Sequence, residues 1–147
     1  MIAALVLLLA RSALGELDQL APFADRLQLR VEGNLLNDRD AAALSRWPSL
    51  VEVELKPPLS RIEAAQLRKL GRLAARVPKR DPSLKLLGPA LVRTEIALPP
   101  AAGGEPVCEG SLRGEVLALP NIDACALRWL TAHLTPHPEQ PELPARR

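Results

Sequence analysis

The sequence predicts an α/β domain: a single mixed sheet with a parallel strand–helix–strand–helix–strand core and helices mainly on one face. Residues 50–56, Leu-Val-Glu-Val-Glu-Leu-Lys, alternate apolar and charged side chains with the two-residue period of a strand that has one buried and one wet face. Residues 27–32, Leu-Gln-Leu-Arg-Val-Glu, repeat that pattern 24 residues upstream, aligning 27 with 51, 29 with 53 and 31 with 55. Helix-start signals lie between and after these two strands, and strands joined by helical crossovers pair in parallel. If the strands add in sequence order, right-handed crossovers place the helices on one face and leave the charged face to water. A doubly wound sheet needs apolar residues on both faces, and Arg30, Glu32, Glu52 and Glu54 argue against it.

Taken in order, Leu17, Leu20 and Phe23 predict a short helix over 16–24, with Pro22 near its end. Gly33-Asn34 ends the first strand. Asn37 or Asp38 then caps a helix to about residue 46, with Asp38 and Asp40 in the first turn, where carboxylates suit the positive helix end. Pro48-Ser49 leads into the second strand, and Pro57-Pro58 stops it. Ser60-Arg61-Ile62-Glu63 reads as a capping box. The following helix buries Ile62, Leu67, Leu70, Leu73, Ala74 and Val77, bending or ending at Gly71. If it ends there, 73–77 is a strand instead. The longer helix is preferred because Pro82-Ser83-Leu84 copies Pro48-Ser49-Leu50, which puts the third core strand at 84–87. Alternation predicts further strands at 91–98 and 115–119, a surface loop at 99–106 and a C-terminal helix over 122–134. Residues 135–147, proline-rich and poor in apolar side chains, read as a disordered tail.

In its length and its Leu-x-Leu strands this repeat resembles leucine-rich repeats over residues 17–73, without their asparagine ladder. The resemblance implies no function for this chain.

A chain of 147 residues fits one domain, expected over 16–134. With one Phe, two Trp and no Tyr, its core is built mainly from Leu, Val and Ala. Net charge is only +2, with Arg interspersed among Asp and Glu. A nucleic-acid binder would show a basic face and stacking aromatics, so none is expected as a partner. The apolar run 2–10, followed by Ala13-Leu14-Gly15, has the form of a signal-peptide core with small residues before a cleavage site at Glu16, although no Lys or Arg precedes it. Residues 1–15 are therefore expected to be a cleaved leader and the protein exported, to the periplasm or beyond. The alternatives are a hydrophobic N-terminal helix in a cytoplasmic protein or a misplaced start codon. The run is about half of the roughly 20 residues that span a bilayer, so no stable membrane span is expected in the mature chain.

In an exported domain Cys108 and Cys125 are expected to form a disulfide. A metal set of Cys108, Cys125, His133 and His137 lacks the close cysteine pair of zinc fingers, and Pro136 separates the histidines. No Gly-x-Ser-x-Gly elbow and no phosphate-cradling glycine loop is present, and no cofactor is implied. The expected function is that of a non-catalytic exported domain that binds another protein. It would do so through the polar sheet face (Gln28, Arg30, Glu32, Glu52, Glu54 and Lys56) or through the loop 99–106. The alternative is a small hydrolase or ligand-binding domain with its pocket at the carboxyl ends of the parallel strands, near Gly33-Asn34 and Lys56-Pro57.

Overall fold

The computed structural model describes residues 5–34, 36–97 and 103–134. Eight strands form one sheet in the order β5-β4-β3-β2-β1-β8-β7-β6. They are β1 (Leu5–Leu9), β2 (Leu27–Glu32), β3 (Val51–Glu54), β4 (Leu73–Val77), β5 (Leu91–Ile96), β6 (Glu105–Val107), β7 (Gly110–Arg113) and β8 (Val116–Leu119). Strands β1 to β5 and the β1–β8 pair run parallel, while β6, β7 and β8 form an antiparallel meander. The crossovers are a 3-10 segment at Arg11–Arg26, helix α1 (Asp38–Ser45), helix α2 (Arg61–Arg68) and a second 3-10 segment at Pro82–Ala90; α3 (Ala124–His133) follows β8.

The α/β class, the single mixed sheet and the C-terminal helix are as the sequence predicts. The core lies on one face. Leu119, Leu9, Val31, Val53 and Ala75 line up across five neighbouring strands, all nearly inaccessible to water. Leu14, Leu17 and Leu20 of the first 3-10 segment, Ala41 and Leu44 of α1, Ala64 and Leu67 of α2, and Ala126 and Leu130 of α3 pack against it. Burying a side chain of this size contributes roughly 1.5–3 kcal/mol.

The structure adds a strand to one reading and changes three others. The apolar run 2–10 supplies β1, hydrogen-bonded between β2 and β8 in the middle of the sheet. Its burial alternates, with Leu5, Leu7 and Leu9 in the core and Val6 and Leu8 half-buried on the other face, but both faces are apolar, and a continuous apolar run is also the composition of a leader core. Cleavage after Gly15 would take this strand away. Second, α2 stops at Arg68 and Leu73–Val77 is a strand. Gly71 adopts φ of +83°, a left-handed conformation natural to glycine that ends the helix. Third, residues 84–87 belong to the 3-10 segment Pro82–Ala90, capped by the Asp81 side chain on the Ser83 N–H, and are not a strand. Fourth, the repeat advances by 22 residues, not 24: Leu5 lies beside Leu27, Arg30 beside Glu52 and Val51 beside Leu73. A two-residue slip keeps every side chain on its own face, so the core and polar assignments survive while the cross-strand partners change. Gly33 fits the 22-residue step, since a Cβ there would lie 1.9 Å from Val53 Cγ1.

The proposed tail at 135–147, His137 and residues 98–102 of the strand and loop expectations lie outside the described residues.

Candidate functional site

The sheet face opposite the helices is the surface most distinctive in its chemistry. Register places Ala118, Leu8, Arg30, Glu52, Ala74 and Arg93 in one row across it. Glu32, Glu54, Arg76 and Glu95 form the next row towards the carboxyl ends. Arg30 Nε donates to Glu52 Oε1 at 2.9 Å, and Arg93 reaches the other oxygen of Glu52 at 3.3 Å. Arg93 starts two strands away. It makes the contact because Ala74, the residue between them in the row, is too small to block it. Arg76 donates to Glu95 and lies 3.9 Å from Glu54, while Arg93 Nε is 3.7 Å from Glu95. Three arginines and three glutamates thus form one connected network, and Glu52, only 6% exposed, holds two guanidinium groups at its centre.

Towards β1 and β8 the same face turns apolar. Val6, Leu8, Val116 and Ala118 are each half-buried there. The face therefore combines an apolar strip, on β1 and β8, with a charged field over β2 to β5. The sequence reading finds the charged half and misses the strip, because it assigns residues 1–15 to a leader. The available signal is the match of Leu5, Leu7 and Leu9 to Leu27, Leu29 and Val31 at the true 22-residue step.

Of the six residues expected on the polar face, Arg30, Glu52 and Glu54 join the network. Gln28 is anchored on the Leu50 carbonyl at 2.6 Å, and Glu32 is exposed. Lys56 lies beyond the end of β3. The 24-residue alignment would set Gln28 beside Glu52, Arg30 beside Glu54 and Glu32 beside Lys56; the observed register sets Arg30 beside Glu52 and Glu32 beside Glu54.

The carboxyl ends of β2 and β3, expected to border a pocket, are occupied by the protein's own hydrogen bonds. Asn34 accepts from the Lys56 N–H at 2.6 Å and donates to the Lys56 carbonyl and to Glu63, both at 3.3 Å. Glu63 also accepts from the Ser60 N–H, completing the capping box of α2. These bonds, the Ser60 backbone first and the Asn34 amide with it, hold the Glu63 carboxyl below the usual glutamate range. A cleft of about 460 Å³ lies nearer the sheet centre, at the carboxyl ends of β1 and β8, with Glu32, Glu109 and Ser111 among its lining.

Cys108, in the β6–β7 turn, and Cys125, in the first turn of α3, are joined by a disulfide, with Cα atoms 5.9 Å apart. Such a bond suits an oxidising compartment. His133 stacks on Trp129 with ring centroids 4.2 Å apart, and its Nδ1 lies 2.8 Å from the Trp129 carbonyl oxygen. Among the described residues no group of His, Cys, Asp and Glu could hold a metal ion, and no helix is long and apolar enough to cross a membrane. Comparison with protein-family models, with curated proteins and with solved structures finds no match to the chain.

Proposed function

We propose that the protein is an exported, non-catalytic interaction domain whose open sheet face receives another protein. The observation that supports this most is the division of that face into a half-buried apolar strip, Val6, Leu8, Val116 and Ala118, and an ordered arginine–glutamate field beside it. Protein interfaces combine an apolar centre with a polar rim in this way. The field is already organised by its own ion pairs, so little side-chain freedom is lost on docking. The disulfide supports the exported location.

The test is a photo-crosslinking residue placed singly at Glu32, on the open face, or at Arg39, on exposed α1, in protein produced in its native host. The reading expects one defined adduct from position 32 and none from position 39. Equal labelling from both positions, or no adduct from position 32, overturns it.

The cleft at the carboxyl ends of β1 and β8 favours a second reading, a small-ligand site, because open parallel sheets bind ligands at that end. A ligand seated there raises the melting temperature of the wild type and leaves Ser111→Trp, which fills the cleft, unchanged.

A further inference from the structure

The two edges of the sheet differ. At one, β6 contains Pro106, which cannot donate to a further strand and so discourages pairing. At the other, β5 contains no proline and, among the described residues, has β4 as its only neighbour in the sheet. Two of the three large apolar side chains that stand exposed in the described structure, Val92 at 47% and Ile96 at 52%, lie on this single strand.

The direction of its backbone groups follows from one bond. The Ala97 N–H donates to the Val77 carbonyl, so the odd-numbered residues at this end of β5 turn their hydrogen-bonding groups towards β4. The even-numbered residues, Thr94 and Ile96 among them, turn theirs outward. Read from Val92 to Ile96, the strand is also complementary to its own reverse. An antiparallel copy centred on Thr94 sets Thr94 against Thr94, Arg93 against Glu95 and Val92 against Ile96. Arg93 and Glu95 share the open face, where they lie opposite Ala74 and Arg76. Thr94 and Ile96 lie opposite Ala75 and Val77 on the helix side, whereas Val92 falls in the register shift between the Leu73 and Ala74 pairings, where strict alternation is broken. Both charge couples and the central threonines therefore meet on matching faces.

We propose that the protein forms a two-fold symmetric dimer by antiparallel pairing of β5 with β5 of a second copy, joining the two sheets edge to edge. Thr94 sits on the axis as a hydrogen-bonded pair, with two Arg93–Glu95 couples flanking it and the exposed Ile96 side chains near the ends of the seam on the helix side. The symmetry is isologous, so the assembly stops at two copies. It is independent of what occupies the open face, and it places two such faces side by side.

Sedimentation velocity of the full oxidised chain over a concentration series tests it, with Thr94→Pro and Ile96→Lys as variants. Thr94→Pro removes an outward N–H that β4 does not use, so the fold keeps its own bonds. The wild type is expected to be dimeric at high concentration, and each variant to weaken the dimer by about tenfold or more with little change in melting temperature. If either variant fails to fold, the other decides. In a further arm, Arg93→Glu and Glu95→Arg each weaken self-association, and mixing the two restores a dimer because the couples again have opposite charge. A wild type that stays monomeric throughout, or a dimer that withstands a folded Thr94→Pro or Ile96→Lys variant, overturns the proposal.

Discussion

Val53 and Glu54 are neighbours in sequence that do different work. Val53 is fully buried between Val31 and Ala75, whereas Glu54 keeps a third of its side chain in water and lies 3.9 Å from Arg76. Truncating Val53 leaves a cavity that its neighbours fill only in part, at an expected loss of about 1–3 kcal/mol. Glu54→Ala removes a long, half-buried ion pair and should cost within about 1 kcal/mol. Urea midpoints of the two variants check this, and equal losses would mean that both faces are buried. Glu52 differs from Glu54 although the sequence gives them the same pattern, because only Glu52 is enclosed by Arg30 and by Arg93 reaching over Ala74. That enclosure depends on a strand two places away and cannot be read from the Val-Glu-Val-Glu string.

At the scale of elements, α2 is set by its own sequence at both ends. Ser60 and Glu63 exchange bonds at the start, and Gly71 turns the chain away after the end. Glu63 joins this local device to the sheet through Asn34, which also clamps Lys56. Because the folded-state pKa of Glu63 is lowered, its contribution to stability is complete above the unfolded-state value and is lost as the pH falls through the folded one. The stability difference between the wild type and Glu63→Gln should therefore be present at neutral pH and shrink below about pH 5. Denaturant titrations at neutral and at acid pH measure it; a difference that grows on acidification would contradict the arrangement. The capping box is legible in four consecutive residues, whereas the Asn34–Lys56–Glu63 clamp joins three elements and leaves no local pattern.

For the molecule as a whole, β1 decides whether one sheet exists or two fragments. It contributes Leu5, Leu7 and Leu9, each at most 2% exposed, and it is the sole link between the β2–β5 array and the β8–β7–β6 meander within the sheet. At roughly 1.5–3 kcal/mol for each buried side chain, its loss approaches the whole stability of a typical domain, about 5–15 kcal/mol. A variant lacking residues 1–15 is expected to lose cooperative unfolding. Peptide mapping of folded native material is expected to recover the segment that contains Leu5–Leu9. Folded, cooperative protein starting at Glu16 would show that the sheet closes without β1.

The sequence by itself determines the α/β class, the faces of β2 and β3, the capping box of α2 and the two cysteines that pair. Each of these rests on side-chain period or on groups a few residues apart, except the disulfide, for which two cysteines leave a single intramolecular pairing. Tertiary structure alone decides the rest. Period two fixes a face but not a register, since shifts of 22 and 24 residues bury the same side chains; the choice falls to packing around Gly33 and to the Arg30–Glu52 pair. Apolar runs such as Leu5–Leu9 carry no period at all. Whether such a run becomes a leader or a central strand depends on the strands that flank it, β2 and β8, and the second of these lies more than a hundred residues away in the chain.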